Sequence, residues 1–281
     1  MTSGFRAAVF ATIALGMVAT ALPAAAQTQQ QIDSCTNKGH AFEPDQSISA
    51  CAAVLSSGRW SGKDLAWAYS NRGLAYMHKG DADRAIADIN KAIELDPTMA
   101  VAYFNRGEVY AARGDLDRAI TSFDQAIKVD TKYATAYNNR GLVYDRKGDY
   151  DRAMADLSKA TELAPTNPLF FNSLCWARAA AGRELSVALD DCGRANKLAG
   201  AQNGYVMNSR GLVQFKLGAF DKAIEDFSTA VAQDPKDADS LYARGISKLR
   251  SGDRSGGAAD IAAAKLINPD VGDIWARLGV K

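Results

Sequence analysis

Apolar and small residues recur at helical spacing along most of the chain, and the same set returns every 34 residues. Residues 134–165 show one complete unit, whose two apolar faces are Tyr137, Gly141 and Tyr144, then Ala153, Leu157 and Ala160. A Gly148-Asp149 step separates the two faces and is typical of a turn. Each predicted helix is about four turns long and is marginal alone in water. The pattern therefore predicts helical hairpins that are stable only when stacked.

One glycine per unit occupies the middle of the first predicted helix, at Gly73, Gly107, Gly141, Gly211 and Gly245. Glycine in a helix lowers stability by about 1 kcal/mol relative to alanine. This cost is expected only where two backbones approach so closely that a side chain would not fit. A large apolar residue lies 16 positions after each glycine, at Ile89, Phe123, Leu157, Phe227 and Ile261. We therefore expect each glycine to face that residue across a tight antiparallel hairpin.

The 34-residue spacing and this residue set resemble the tetratricopeptide repeat (TPR), a helix-turn-helix unit. The resemblance covers about residues 66–269 and implies an all-α, right-handed α-solenoid of stacked hairpins. The implied units are residues 66–97, 100–131, 134–165, 168–200, 204–235 and 238–269. A degenerate unit at 27–65 is expected to precede them, and a capping helix at 270–281 to follow them. Together, residues 27–281 are expected to form one solenoid.

The N-terminus has the order of regions found in a secretory signal peptide. Arg6 precedes the apolar run 7–22, and three alanines end at Ala26 before a polar segment. We expect residues 1–26 to be removed, which predicts a periplasmic or secreted protein without membrane insertion after cleavage. The alternative is an uncleaved anchor, because the run is only slightly shorter than the roughly 20 residues that a membrane span needs.

The charge balance argues against several classes of partner. The chain has 33 Lys and Arg residues against 32 Asp and Glu, a formal net charge of +1, so no nucleic-acid or anionic-membrane partner is implied.

His40 and His78 are the only histidines, and neither has the spacing of a metal site. The glycines are explained by the repeat and not by a phosphate loop. We therefore expect no enzyme, cofactor or metal.

Four cysteines fall into the same two slots as the glycines and their apolar partners. Cys35 and Cys51 are 16 residues apart, while Cys175 follows Gly141 by 34 and precedes Cys192 by 17. The extra residue in the second pair lies in a turn that is one residue longer than in the regular unit. In an oxidising compartment this arrangement favours Cys35–Cys51 and Cys175–Cys192 disulfides. The alternative is four buried free thiols.

An arginine precedes the glycine in five units, at Arg72, Arg106, Arg140, Arg210 and Arg244. An arginine ladder could bind an anionic partner. Aspartates lie 16 residues after four of these arginines, at Asp88, Asp156, Asp226 and Asp260, in the relation that brings the cysteines together. Ion pairs within each hairpin therefore explain the ladder better, and each exposed pair contributes under about 1 kcal/mol.

In TPR proteins the partner segment generally lies along the concave face formed by the first helices. The resemblance points to the matching positions here, which are rich in the aromatic residues that anchor interfaces. They are Trp67, Phe104, Glu108, Asn138, Asp145, Arg146, Trp176, Tyr205, Asn208, Phe215, Lys216 and Tyr242. The alternative for each of them is packing between repeats. The paired Lys and Asn clamp that some TPR proteins use for a C-terminal carboxylate is not matched.

These observations favour a non-enzymatic scaffold that binds a protein or peptide segment on its concave face, in a cell-envelope assembly. A self-associating structural envelope protein is the alternative, since it would bury the same aromatic residues against a second copy. The resemblance is specific for the fold and weak for the biological role. The sequence leaves the partner, the pathway and the oligomeric state open.

Overall fold

Helices make up the regular structure of this computed structural model, which describes residues 24–37, 41–200 and 203–280. The predicted signal segment falls mostly outside the described residues, as does His40. The helices are α1 Ala24–Thr36, α2 Pro44–Ser56, α3 Ala66–His78, α4 Ala82–Leu95, α5 Ala100–Ala112, α6 Leu116–Val129, α7 Ala134–Arg146, α8 Tyr150–Leu163, α9 Pro168–Ala181, α10 Leu185–Ala199, α11 Gly204–Lys216, α12 Phe220–Gln233, α13 Ala238–Ser251, α14 Arg254–Ile267 and α15 Val271–Arg277. A short 3-10 helix, Gly62–Leu65, leads into α3.

Consecutive helices pack in antiparallel pairs, from α1 with α2 to α13 with α14, and each pair stacks on the next. The predicted all-α solenoid is confirmed. Four of the five regular pairs share one turn construction: a left-handed glycine, such as Gly114 at φ +78°, followed by an aspartate that caps the second helix. In the pair α11 and α12, Ala219 takes the place of the aspartate and provides no side-chain cap. The Asp115 carboxylate accepts the backbone N–H of Arg118 at 3.2 Å, which satisfies one of the free donors at the helix start.

The predicted close approach of glycine and apolar residue is confirmed in all five regular hairpins. A Cβ atom added at Gly107 would lie 2.5 Å from Cε1 of Phe123, and one added at Gly141 would lie 2.8 Å from Cγ of Leu157. Gly73, Gly211 and Gly245 are equally close to their partners. The missing side chain therefore makes room for the large residue of the facing helix.

The arginine ladder consists mainly of ion pairs within hairpins, as predicted. Arg72 Nε lies 2.6 Å from Asp88 Oδ2, and Arg140 Nε lies 2.7 Å from Asp156 Oδ2. Arg210 and Arg244 pair with Asp226 and Asp260 in the same way. Arg106 has no aspartate at this position and donates instead to Ser122 Oγ and Asn90 Oδ1. These contacts occupy the guanidinium groups, so the ladder is not open to an anionic partner.

Both predicted cysteine pairs lie at disulfide distance inside their hairpins. The S–S distance is 2.00 Å for Cys35 and Cys51 and 2.05 Å for Cys175 and Cys192. All four side chains are at most 1% exposed. Each pair occupies the space that glycine and its large partner fill in the regular units. The bond therefore replaces apolar packing between the two helices.

One face of the solenoid is formed by the first helix of each pair. Successive first helices, such as α7 with α9 and α11 with α13, contact each other directly. Successive second helices do not approach to the same extent in the part of the chain that the structure describes. The first helices therefore line the inner, concave face. The contact between α9 and α11 is the most extensive of these.

The last helix, α15, closes the C-terminal end of the stack. Its Trp275 is 1% exposed and packs edge-on against Phe227 of α12 and Trp176 of α9, with ring centroids 5.9 and 6.1 Å apart. The indole Nε1–H of Trp275 donates to Asp239 Oδ1 of α13 at 2.7 Å. A single side chain thus joins the last helix to three others, and it covers apolar surface that would otherwise face water.

Candidate functional site

A cleft of about 640 Å³ lies at the C-terminal end of the concave face. We call it the C-terminal cleft. Its walls come from the first helices α7, α9, α11 and α13, together with the end of α12 and the capping helix α15. This size falls within the range of about 300–1,000 Å³ that is typical of ligand sites. The cleft exists because α15 folds back onto the concave face instead of continuing the solenoid.

Aromatic side chains line much of the C-terminal cleft. Tyr205, in the first turn of α11, is 81% exposed, and Trp176 of α9 is half-buried beside it in the wall. Trp275 is buried against Trp176 and contributes to the same wall. Because the Tyr205 ring is so exposed, it does not stabilise the folded chain by packing. Its π-face and hydroxyl are therefore available to a bound molecule.

The polar part of the cleft wall consists largely of oxygen acceptors. Asp234, Asp237 and Asp239 contribute carboxylates, and Asn172 and Asn208 contribute amides. Asn208 Nδ2 donates to Ser240 Oγ at 2.6 Å, whereas Asn172 Oδ1 is buried without a hydrogen-bond partner. No lysine, arginine or histidine is among the described residues that line the cleft. The wall can therefore accept hydrogen bonds and positive charge.

Three of the predicted groove residues come together in the C-terminal cleft: Trp176, Tyr205 and Asn208. Two of the predicted aromatic residues are buried and pack inside the solenoid. The Phe104 ring lies 5.6 Å from that of Phe123, and the Phe215 ring lies 5.4 Å from that of Phe220. These two rings stabilise the stack and present little surface to a partner.

The remaining predicted residues are spread along the concave face. Trp67 packs edge-on against Trp60, and Arg146 is exposed and donates to the backbone oxygen of Ala111 at 3.0 Å. Lys216 and Tyr242 are half-buried. Burial lowers the pKa of Lys216 because the ammonium group loses water. These residues do not meet in one place as the three cleft residues do.

Buried acidic and amide groups continue the concave face on α5 and α7. Glu108 has a raised pKa because burial desolvates its carboxylate, and Asn139 Nδ2 donates to its Oε1 at 3.4 Å. Asn138 is 7% exposed, and its Oδ1 has no hydrogen-bond partner. Asp145 has a pKa raised to about 6 by burial, which a hydrogen bond from Trp176 partly offsets. Asp145 Oδ1 is also buried without a partner.

Replacing Asp145 with asparagine should stabilise the protein at neutral pH and not in acid. The pKa of about 6 in the folded protein lies above the ordinary aspartate pKa of 3.8, so the fold favours the protonated form. The protonated Asp145 carboxyl stabilises the fold fully below pH 3.8, and this stabilisation is lost as the pH rises through 6. At pH 8 the Asp145→Asn variant should be about 1–2 kcal/mol more stable than the parent, after allowance for solvent screening.

Thermal melting of parent and variant between pH 3.5 and 8 measures this effect as the difference in Tm at each pH. The difference should be near zero in acid and positive above pH 6. Asp190→Asn, made at an exposed position of α10, corrects for the general effect of removing one negative charge. A difference in Tm that does not change with pH would show that burial of Asp145 carries no such penalty.

Four residues that line the cleft were not predicted from the sequence: Asn172, Asp237, Asp239 and Trp275. Asn172 follows Asn138 by 34 residues and could have been found by carrying the register through the unit in which Cys175 replaces glycine. The two aspartates belong to the start of α13, and their approach to α9 depends on the curvature of the stack. Trp275 reaches the cleft because α15 packs back onto the concave face.

Across the part of the chain that the structure describes, no three His, Cys, Asp or Glu side chains are grouped to hold a metal ion. None of the described helices is long and apolar enough to cross a bilayer. The geometry of the cleft thus provides a surface of aromatic rings and oxygen acceptors.

Comparisons with known proteins agree with the fold. A family model described as TPR repeat matches residues 107–148 and 211–252. Models described as tetratricopeptide repeat match residues 66–99 and 134–167, and residues 89–121. None of the curated proteins that were compared with the chain matches it.

Several solved structures superpose on most of the solenoid. A tetratricopeptide repeat protein from Parabacteroides merdae is 16% identical, covers 91% of this chain and 98% of its own, and has a TM-score of 0.65. The pilF protein of Pseudomonas aeruginosa is 21% identical, with coverages of 77% and 99% and a TM-score of 0.62. PilW, a type IV pilus biogenesis factor, is 20% identical, with coverages of 75% and 98% and a TM-score of 0.66. At these identities the likeness concerns the fold alone.

Proposed function

Since the chain belongs to the tetratricopeptide repeat family, we propose that it is a non-enzymatic scaffold that binds a protein segment on its concave face. Repeat proteins of this family generally bind protein or peptide partners. The single observation that carries the proposal is the C-terminal cleft, with the 81% exposed Tyr205 on its wall. A preformed cleft with an exposed aromatic residue can bind a segment with little rearrangement of its own backbone.

The proposed setting is the cell envelope, where the protein would hold one component of an assembly. The signal-like order of residues 1–26 supports export. The two cysteine pairs support the same setting, because disulfides persist in oxidising compartments such as the periplasm. Within the groove, the proposed binding residues are centred on Trp176, Tyr205 and Asn208, and the other exposed or half-buried members of the predicted set extend the surface. These are Trp67, Glu108, Asp145, Arg146, Lys216 and Tyr242.

A photo-crosslinker placed in the cleft tests the proposal directly. Tyr205 is replaced by p-benzoylphenylalanine in the full chain, which is expressed in its host and irradiated. Because Tyr205 is exposed, the change should not affect the melting temperature. We expect an adduct with a different protein, identified by mass spectrometry, and we expect Tyr205→Ala to weaken binding of that protein.

The same crosslinker at Leu266 of α14 is the matched control. Leu266 is 88% exposed, belongs to a second helix and does not line the cleft. An adduct from position 205 and not from 266 supports the concave face. Adducts only between copies of the chain would favour the self-associating envelope protein. The same partner captured mainly from position 266 would place binding on the outer surface.

A further inference from the structure

The C-terminal cleft carries negative charge that no basic side chain in the described chain neutralises. Asp234, Asp237 and Asp239 line it, and none of the three forms an ion pair with a described lysine, arginine or histidine. Elsewhere on the hairpins the pattern is different, because Asp88, Asp156 and Asp260 are each paired with an arginine. In a chain of formal net charge +1, the cleft is therefore a local concentration of unpaired carboxylates.

The hydrogen bonds that these aspartates do make leave their charge in place. Asp237 accepts the backbone N–H groups of Asp239 and Ser240 at the start of α13. Asp239 Oδ1 accepts the indole N–H of Trp275 at 2.7 Å. Neutral donors of this kind orient the carboxylates toward fixed positions but supply no counter-charge. The aspartates are thus held in place and remain able to bind a cation.

Two aromatic rings accompany these carboxylates in the C-terminal cleft. Trp176 is half-buried and Tyr205 is 81% exposed. The aromatic surfaces of Trp176 and Tyr205 lie in the same wall, and a cation over such a ring is attracted by its quadrupole.

We propose that the C-terminal cleft binds an arginine side chain of the partner segment. The proposal rests on the proposed function and specifies the chemistry of the segment that is bound. Guanidinium is planar, stacks on aromatic rings and donates several N–H groups in one plane, which suits a wall of rings and carboxylates. Lysine offers a compact, strongly hydrated charge and matches the aromatic part of the wall less well.

The test uses peptides selected from a random display library on protein purified from cells that express the full chain. The selected peptides should be enriched in arginine. Replacing that arginine with citrulline, which has nearly the same shape and no charge, should weaken binding by about ten-fold or more. Affinity for the arginine peptide should also fall as salt is added, whereas affinity for the citrulline peptide should not.

The protein variant Asp237→Asn/Asp239→Asn provides the second half of a double-mutant cycle. Asparagine keeps an oxygen that can cap α13 and accept the Trp275 indole, so the melting temperature should stay close to that of the parent. This variant should bind the arginine peptide about as weakly as the parent binds the citrulline peptide, with little further loss when both changes are combined. Asp253→Asn is the matched control, since Asp253 caps α14 in the same way outside the cleft.

The outcomes separate this inference from the proposed function. If selected peptides lose affinity for Tyr205→Ala but bind equally well with citrulline, a segment does bind in the cleft and the arginine proposal is wrong. If the Asp253→Asn control weakens binding as much as the double variant, the effect is one of general charge, and the cleft carboxylates are not the recognition element. If no selected peptide depends on Tyr205, both the arginine proposal and the concave-face scaffold are wrong.

Discussion

Replacing Trp275 with alanine should destabilise the C-terminal end of the solenoid by about 3–5 kcal/mol. Trp275 is 1% exposed, and its ring packs against Phe227 and Trp176 from two other helices. Truncation would leave a cavity between them. It would also remove the 2.7 Å hydrogen bond that the Trp275 indole N–H donates to the Asp239 carboxylate.

The stability of a solenoid is close to a sum of unit and interface terms, so this loss should be local. Hydrogen exchange should accelerate most in α13, α14 and α15, with little change in α3 to α6. Urea unfolding followed by circular dichroism gives the accompanying change in midpoint. Two comparisons isolate the cause. Trp275→Phe keeps a buried ring and should lose less, and Ile274→Ala, at an exposed neighbouring position, should cost under about 1 kcal/mol.

A further consequence concerns the cleft, because Trp275 forms part of its wall. Partner binding should weaken together with the loss of α15 in the Trp275→Ala variant. Equal hydrogen exchange in parent and variant would contradict the assignment of this side chain as the link between the cap and the stack.

Removing the second cysteine pair should lower stability by about 3 kcal/mol, because the bond closes a loop of 17 residues and restricts the unfolded chain. The variant is Cys175→Ala/Cys192→Ala, and both side chains are completely buried. The unfolding midpoint in urea should fall for the variant and, by a similar amount, for the parent in the presence of a reductant. Thiol titration of the unfolded parent, before reduction, should detect no free cysteine.

The repeat itself provides the matched control for this prediction. In the regular units, glycine and a large apolar residue occupy the slots of the two cysteines. Cys175→Gly/Cys192→Leu should therefore restore part of the lost stability without any covalent bond, because the leucine fills the space that the glycine leaves. If the alanine variant and the parent unfold at the same urea concentration under oxidising conditions, the bond does not form in the folded protein.

Arg178 illustrates how the solenoid adjusts where this unit departs from the pattern. Leu174 occupies the slot that holds arginine in the regular hairpins, so Asp191 loses its usual partner. Arg178, one helical turn further along α9, pairs with Asp191 instead and also lies 2.9 Å from Glu184. The 34-residue repeat could not predict this pairing, because Arg178 does not occupy the position that holds the paired arginine in the regular hairpins.

Much of the hairpin interior could be predicted from the sequence because its contacts are local. Gly107 and Phe123 are 16 residues apart, and their approach depends on one turn and two short helices whose geometry hardly varies between units. The same local geometry brings Arg72 to Asp88 and Cys35 to Cys51. Each of these contacts is decided within a single hairpin, so the spacing along the chain was enough to identify it.

The spacing along the chain could not predict which side chains on the concave face are exposed. Phe104 and Tyr205 were both expected in the groove, yet Phe104 is buried between Phe123 and Tyr133 while Tyr205 is 81% exposed. Phe104 is covered by Phe123 of its own hairpin and by Tyr133 at the start of the next one. A position that faces inward can be covered by the next unit or left open, depending on the angle between successive units.

The sequence by itself determined the period, the hairpin, the turn and the partners inside each hairpin, because these follow from helical spacing and short connections. Only the tertiary structure decided the C-terminal cleft. Its walls combine Trp176, Tyr205, Asp239 and Trp275, which come from four different helices. Their meeting depends on the extensive contact of α9 with α11 and on the return of α15 onto the concave face. Whether these residues meet depends on the small rotation between each unit and the next, added over several units. The spacing of residues along the chain does not reveal that total rotation.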